Sequence, residues 1–180
     1  NLAYQRDTIV RIYSMTKMVT TVGFMMLVER GLVHLAMPAA TFFPGFDKAM
    51  ALVEGAQSID QVEAVPGPTL HQLLTHTSGL SYGFNPGVLA RHYADLEVSF
   101  QPDAGGLEAV CNQVSNLPLA FSPGRSWQYS VGIDIIGRVI EQISGRPLDR
   151  YLHEEIFEPL GMVDTGFSVP ESAVDRFADC

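Results

Sequence analysis

The sequence predicts one globular domain built mainly from helices, which irregular loops rich in glycine and proline join together. The chain has 180 residues, 47% of them apolar, and this is enough to enclose a hydrophobic core. A mainly apolar run covers residues 18–28, and isoleucine and valine recur at helical spacing from Ile133 to Ile143. Both patterns are typical of helices that pack into a core.

The first predicted elements are a short extended segment and a long helix. Residues 8–13 are β-branched and partly alternating, which favours an extended lead-in. The apolar run that follows is too long and continuous for a half-exposed strand, and Gly31 stands where the residue after a helix belongs. We therefore predict a buried helix of about four turns. Ser14 lies at its N-terminus and Lys17 one turn further on.

The spacing of Ser14 and Lys17 indicates a nucleophile and its base. Residues three apart on a helix share a face, so the amine can reach the hydroxyl. A serine hydroxyl attacks a carbonyl only when a base takes its proton, and a lysine amine is a base only when neutral. Burial against an apolar helix favours the neutral amine. The positive end of the helix also suits an oxyanion.

The same pattern has a simpler interpretation. Serine is a common helix cap, so most Ser-x-x-Lys patterns are a cap followed by a surface lysine. Two observations favour the catalytic interpretation. The chain contains just two lysines, Lys17 and Lys48, and the helix that begins near Lys17 offers almost no polar face on which a charged side chain could rest.

The composition excludes several partners and sites. A net charge of −9 and a pI of 4.8 oppose binding to a phosphate backbone, so no nucleic acid partner is expected. No apolar run reaches the roughly 18 residues that cross a bilayer, so no membrane span is expected. Cys111 and Cys180 could pair, but without metal-ligand spacing buried or free thiols are the favoured prediction.

The middle of the chain predicts several shorter elements. In chain order they are an irregular aromatic connection after Gly31, a weak helix over 48–53, a short helix over 70–75 capped by Thr69 and ended by Gly79, a turn-rich surface segment over 81–96, and an amphipathic helix over 107–116. His71 and His76 have no cluster of carboxylates or cysteines nearby, which argues against a metal site. A glycine-rich phosphate loop and a Gly-x-Ser-x-Gly elbow are both missing, so nucleotide binding and the α/β-hydrolase route are not favoured.

Two helices complete the predicted elements. Pro123-Gly124 predicts a turn, after which the helix over 133–143 begins. Tyr129 stands at the entrance of this helix, where a loop can deliver a side chain to a cleft. A last helix is predicted over 147–157.

Four passages of the sequence together resemble one family. They are residues 12–17, 73–80, 123–130 and 159–167, which span most of the chain in the family's order. They resemble the serine β-lactamase and penicillin-binding-protein superfamily, nearest to class C β-lactamase-like hydrolases and family VIII carboxylesterases. The resemblance implies an α+β fold of the β-lactamase/transpeptidase type, with an antiparallel sheet flanked by helices. Residues 1–180 would then be a partial domain that supplies the nucleophile helix and most of the helical region.

The resemblance also implies the roles of three residues. Ser14 would be the acylated nucleophile, Lys17 its partner, and Tyr129 the third member, which exchanges protons with the serine and the leaving group. A phenol near an ammonium group gives up its proton more readily, so it can serve as base or acid. Without the resemblance, an ordinary buried tyrosine is the simpler interpretation. Residues 76–79 are predicted to be scaffold, and Trp127 a core residue rather than a pocket wall.

The sequence departs from the family pattern at two places. The class C tyrosine motif reads Tyr-x-Asn, and here Val131 takes the place of the asparagine. A valine cannot bind a substrate amide, which favours an esterase that acts on less polar acyl groups. The family's later strand motif (Lys-Thr-Gly or a variant) has no counterpart after Phe167, and the N-terminal strands are missing too. We therefore expect a piece of a longer chain, which can be inactive alone.

The predicted function is hydrolysis of short-chain carboxylic esters through an acyl-enzyme on Ser14. The alternatives are a β-lactamase or D-amino-acid peptidase, and a homologue without catalysis that binds or senses a ligand. The expected partner is a small ester or amide substrate, and the chemistry requires no metal and no organic cofactor. The sequence shows no signal-peptide pattern and leaves the compartment and the oligomeric state open, since such esterases are often cytoplasmic and lactamases exported.

Overall fold

The computed structural model describes residues 4–95 and 106–178 of the chain. The helices and strands in these ranges are α1 (Thr16–Glu29), β1 (Met50–Leu52), β2 (Val62–Ala64), α2 (Leu70–Leu74), α3 (Val88–Asp95), α4 (Gly106–Ser115), α5 (Gly132–Ser144) and α6 (Leu148–Leu152). α6 continues into a π-helical turn, His153–Phe157. Short 3-10 turns cover Tyr13–Met15, Ala39–Thr41, Pro44–Lys48 and Glu171–Arg176.

α1 confirms the predicted four-turn helix but is not buried all round. Gly31 has a φ of +71°, the left-handed conformation expected after a helix. Phe24 and Leu27 face the core, whereas Met18 is 72% exposed and Val22 is 52% exposed. The prediction of a buried helix is therefore wrong for the outer face of α1. On that face, Met18 and Val22 are left exposed by the residues that the structure describes.

α5 is the centre of the hydrophobic core and confirms the prediction over 133–143. It packs against α1, α2, α4 and α6. Its apolar side chains are among the most completely buried of the described residues: Ile135, Ile136, Val139 and Ile140. α1 and α6 lie close together, and the Tyr151 hydroxyl of α6 donates a 3.0 Å hydrogen bond to the Gly23 carbonyl of α1. The long apolar periodicity thus places α1 and α5 side by side.

Two predictions in the middle of the chain are wrong. The predicted weak helix over 48–53 is absent: Lys48 ends a 3-10 turn, and β1 (Met50–Leu52) pairs antiparallel with β2 so that Ala51 lies opposite Glu63. The prediction of a turn-rich segment over 81–96 holds for residues 81–87, but residues 88–95 form α3. The physical reason is the burial of Leu89 and Tyr93, four residues apart, which stabilises a helical turn against the core. Residue 96 lies outside the described residues.

Two other helices agree with the sequence. α4 confirms the amphipathic helix over 107–116, and α6 with its π-helical turn confirms the helix over 147–157. Cys111 in α4 is a buried free thiol whose pKa burial raises, as expected for a structural cysteine. Cys180 lies outside the described residues. Within the ranges that the structure covers, the helices are too short or too polar to cross a membrane.

α2 begins as predicted and ends differently. Thr69 and Gln72 form a capping box at its start. At its end His76 takes the left-handed conformation, with a φ of +58°, so Gly79 does not terminate the helix as predicted. Gly79 instead belongs to the following turn, where a Cβ atom would lie 2.3 Å from the carbonyl oxygen of Phe121. Residues 76–79 run along residues 120–128, which agrees with their predicted role as scaffold.

Candidate active site

The structure brings Ser14 and Tyr129 into direct contact. The Tyr129 hydroxyl donates a 2.7 Å hydrogen bond to Ser14 Oγ, although 115 residues separate the two in sequence. Ser14 is exposed and lies in the 3-10 turn that precedes α1. The preceding residue, Tyr13, has a φ of +43°, which is a strained conformation for a tyrosine. The nucleophile is thus presented to solvent by a strained turn at the positive end of a helix.

Lys17 lies beside this pair, but its amine contacts aromatic rings rather than the Ser14 hydroxyl that the sequence predicted. Its Nζ atom is 5.2 Å from the centre of the Tyr129 ring and 5.4 Å from that of Tyr82, within cation–π range. Among the described residues no hydrogen bond joins the amine to Ser14. Lys17 is half-buried, as its place in the first turn of α1 requires. Its charge therefore lies against the ring of Tyr129.

Tyr82 and Asp134 complete the surroundings of Lys17, and the sequence did not identify them. The Tyr82 hydroxyl donates a 3.2 Å hydrogen bond to Asp134 Oδ2. Burial raises the pKa of Asp134, and the positive charge of Lys17 opposes that effect. Burial, together with the Asp134 carboxylate, raises the pKa of Tyr82. A signal was available in the sequence, because Asp134 is an acidic residue between isoleucines in a strongly apolar helix.

The backbone of Tyr129 is held from one side by the segment that follows α2. Asn85 Nδ2 donates a 2.9 Å hydrogen bond to the Tyr129 carbonyl. Gln128 Nε2 donates a 2.7 Å hydrogen bond to Ser81 Oγ. These contacts fix the loop that delivers the phenol to Ser14. They also explain why a loop residue can hold a defined position.

Two predictions next to Tyr129 have different outcomes. The prediction that Trp127 is a core residue is wrong: its side chain is 63% exposed and meets the His76 ring edge-on at 6.0 Å. The loop before α5 runs over the surface at this point, so the indole is not enclosed. Val131 is almost completely buried. Its side chain therefore supplies packing at the position where class C enzymes have an asparagine.

A largely apolar cleft of about 850 Å³ opens beside Lys17. Its lining side chains include Leu107, Val110, Ile133, Leu148 and Phe167. Asp134 is one of the acidic groups in it. Across the described ranges, no three or more histidine, cysteine or acidic side chains are grouped in a way that could hold a metal ion. The cleft can receive an apolar group beside Lys17 and Tyr13, the residue that precedes Ser14.

The sequence profile of the family described as Beta-lactamase matches residues 1–180, the whole chain. The chain belongs to the beta-lactamase family. This confirms the resemblance drawn from the four sequence passages, and the fold is of the predicted β-lactamase/transpeptidase type.

Curated relatives include both esterases and acyltransferases. Esterase EstB from Burkholderia gladioli is 35% identical over 176 residues, which are 97% of this chain and 42% of that protein. Monacolin J acid methylbutanoyltransferase from Aspergillus terreus is 33% identical over 170 residues, which are 93% of this chain and 40% of that protein.

A solved structure gives the same result. The unliganded simvastatin synthase LovD from Aspergillus terreus superposes with a TM-score of 0.75 at 30% identity, covering 97% of this chain and 43% of that one. The chain therefore spans less than half the length of the relatives that it matches.

Proposed function

We propose that the protein hydrolyses short-chain carboxylic esters through an acyl-enzyme on Ser14, with Lys17 and Tyr129 in proton transfer. The observation that carries the proposal is the 2.7 Å hydrogen bond between the Tyr129 hydroxyl and Ser14 Oγ. The Lys17 ammonium, 5.2 Å from the Tyr129 ring, supplies the nearby positive charge. An activated hydroxyl beside a proton acceptor is the arrangement that nucleophilic catalysis needs.

The first half of the reaction uses the phenol as a base. Tyr129 in its phenolate form takes the Ser14 proton while Oγ bonds to the ester carbonyl carbon. The positive charge of Lys17, whose Nζ atom lies 5.2 Å from the centre of the Tyr129 ring, stabilises the negative charge of the phenolate. The tetrahedral intermediate collapses, the carbon–oxygen bond to the alcohol breaks, and Tyr129 returns its proton to the leaving alkoxide.

The second half reverses the same proton transfers. Tyr129 takes a proton from a water molecule, whose oxygen attacks the acyl carbonyl. The bond to Ser14 Oγ then breaks, and the serine regains its proton from the phenol. If an alcohol replaces the water, the same steps give acyl transfer, which the name of the Aspergillus terreus transferase supports.

The preference for esters with apolar acyl groups rests on two observations. Val131 offers no side-chain hydrogen bond to a substrate amide, and the cleft beside Lys17 has mainly apolar walls. The name of esterase EstB agrees with ester hydrolysis. β-Lactam or D-amino-acid peptide hydrolysis remains the alternative from the same chemistry, and turnover of a chromogenic cephalosporin without turnover of esters would favour it.

We also propose that residues 1–180 form part of a larger catalytic domain. The relatives are more than twice as long as the matched segment, and the outer face of α1 exposes Met18 and Val22. Strands of the family's sheet, N-terminal and C-terminal to this segment, would cover that face and supply the second oxyanion donor. A longer chain should then be more stable and more active than these residues alone.

The test is labelling with a fluorophosphonate, followed by intact mass measurement and peptide mapping. We expect one adduct, confined to Ser14, and none in Ser14→Ala. The label should be found in the 180-residue chain or, if the site needs the rest of the sheet, in a chain of the relatives' length. If neither is labelled, the proposal is wrong and a homologue that only binds or senses a ligand becomes the better explanation.

A further inference from the structure

His76 occupies a backbone position that glycine fills most easily. α2 ends in a Schellman motif, in which the Thr77 amide donates to the Gln72 carbonyl at 3.0 Å and the His76 amide to the Leu73 carbonyl at 3.4 Å. His76 is the left-handed residue of this motif, with a φ of +58°. A side chain there carries a steric cost that glycine avoids. A compensating benefit must come from contacts that the imidazole makes.

The backbone and side chain of His76 together hold both neighbours of Tyr129. The His76 carbonyl accepts a 3.0 Å hydrogen bond from the Gln128 amide. Its Nδ1 atom accepts a 3.2 Å hydrogen bond from the Ser130 amide. The imidazole also lies against the Tyr129 ring, with 4.7 Å between the ring centres. One residue therefore fixes the chain immediately before and immediately after the tyrosine.

These contacts define which nitrogen of His76 carries the proton. A backbone amide can only donate, so Nδ1 must be unprotonated and the neutral ring carries its proton on Nε2. The Ser130 hydroxyl, 3.2 Å from Nδ1, can donate to it as well, because its oxygen already accepts from the Gly132 amide at 3.3 Å. Protonation of Nδ1 would leave the amide of the fully buried Ser130 without its acceptor.

The electrostatic surroundings favour the same neutral form. Burial lowers the pKa of His76 below its ordinary value of 6.5, and the positive charge of Lys17 in α1 lowers it further. The titratable groups that face the ring are Lys17 and the Tyr129 phenol. The positive charge of Lys17 therefore disfavours an imidazolium at this position.

We propose that neutral His76 is a positioning residue for Tyr129, holding the backbone on both sides of the phenol so that its hydroxyl meets Ser14. This inference rests on the proposed acyl-enzyme chemistry and adds a residue to it. His76 does not touch the reacting atoms. It acts through the placement of Tyr129, and small misplacements of a catalytic group are costly because proton transfer requires hydrogen-bond distance.

Three variants distinguish the effect of the imidazole on Tyr129 from an effect on folding. His76→Gly removes the ring and suits the left-handed backbone, so we expect it to fold, with a melting temperature lowered by the loss of the acceptor for the Ser130 amide. His76→Asn tolerates the same backbone and returns an acceptor, Oδ1, at the position of Nδ1. His71→Asn makes the same chemical change at an exposed histidine of α2 and is the matched control.

The first readout is the rate of fluorophosphonate labelling at Ser14 from pH 5 to 8. We expect His76→Gly to be slower by about tenfold or more at every pH, since misplacement by about 1 Å can cost a hundredfold. His76→Asn should keep most of the natural rate. The natural chain and His71→Asn should lose labelling as the pH falls through the pKa of His76, and His76→Asn should lack that decline.

The second readout is nitrogen-15 NMR of the histidine rings, which does not depend on activity. We expect His76 to carry its proton on Nε2, and the Ser130 amide and Tyr129 ring signals to shift when His76 titrates. Equal labelling of His76→Gly and the natural chain, a rate for His76→Asn as low as that for His76→Gly, or a proton on Nδ1 would each overturn the inference. If neither the natural sequence nor any variant is labelled, in this chain or in one of the relatives' length, the proposed function fails and the NMR result alone decides the role of His76.

Discussion

Tyr129→Phe should abolish most of the reactivity of Ser14 without harming the fold. The substitution removes one oxygen atom, which donates the 2.7 Å hydrogen bond to Ser14 Oγ. The ring remains, together with its contacts to the His76 ring at 4.7 Å and to Lys17 Nζ at 5.2 Å. The change therefore isolates the proton-transfer role of the phenol from its packing role.

The expected loss follows from the size of general acid–base catalysis. A positioned proton donor and acceptor contributes about 10²–10⁴-fold, which is roughly 3–5 kcal/mol of transition-state stabilisation. We expect Tyr129→Phe to lower the rate constant for fluorophosphonate labelling of Ser14 by about 10²–10⁴-fold. The free energy of unfolding should change little, because the lost hydrogen bond is exposed to solvent and its serine partner can bond to water instead.

A matched control is available one residue before the nucleophile. Tyr13 is 70% exposed, and Tyr13→Phe deletes the same atom next to Ser14 without touching the Tyr129 hydrogen bond. Labelling rates and urea unfolding of both variants should be measured together. If Tyr129→Phe is labelled as fast as Tyr13→Phe, Tyr129 is not the proton acceptor and the mechanism proposed here is wrong.

Three further predictions concern stability. Burial raises the pKa of Asp134 above its ordinary value of 3.8, so the ionisation of this carboxyl group costs stability as the pH rises through the raised pKa. At pH 7 Asp134→Asn should therefore melt at a temperature no lower than that of the natural chain. The rate of Ser14 labelling should fall in the same variant. Hydrogen bonds from Arg30 and Arg146 lower the pKa of Glu155 to about 2, so their stabilisation is present above pH 4.5 and lost as the pH falls toward 2. The melting temperatures of the natural chain and Glu155→Gln should converge over that range. Ile136→Ala should reduce the free energy of unfolding by about 2–5 kcal/mol in urea, because Ile136 is fully buried in α5.

Each of these has a result that would contradict it. A large fall in the melting temperature of Asp134→Asn at pH 7 would mean that the carboxylate stabilises the fold. A constant difference in melting temperature between Glu155→Gln and the natural chain from pH 5 to pH 2 would show that the ion pairs of Glu155 do not cause the stabilisation. If Ile136→Ala lowers the free energy of unfolding no more than a substitution at an exposed position, such as Val174→Ala, α5 is not the centre of the core.

The elements predicted well from sequence were those with long apolar periodicity. α1 and α5 repeat apolar residues over many turns, so their helical character follows from the pattern alone. β1 and α3 were missed because they are short, and long-range contacts decide their conformation. Ala51, for example, is completely buried and pairs with Glu63 of β2, a residue that is distant in sequence.

The candidate site was predictable where local patterns and family resemblance agreed. Ser14, Lys17 and Tyr129 were named from the sequence, and the structure places all three together. Asp134 and His76 could not be assigned roles in this way. Asp134 gains its role from the approach of α1 to α5, and His76 from the fold of a distant loop against the end of α2.

The exposed outer face of α1 illustrates a different limit. Apolar residues surround the helix on all sides in the sequence, which predicts burial on all sides. The structure buries Phe24 and leaves Met18 exposed. The pattern therefore describes the surroundings that α1 is suited to, rather than those that the described residues provide.

The most direct test of the central claim is to trap the acyl-enzyme. The protein should be mixed with a p-nitrophenyl ester of a short-chain acid, quenched in acid within seconds, and measured by intact mass and peptide mapping beside Ser14→Ala. We predict a mass increase equal to one acyl group, located on Ser14 and lost with time as the acid is released. Release of p-nitrophenol at an equal rate by both proteins, with no acyl group on Ser14, would contradict the claim.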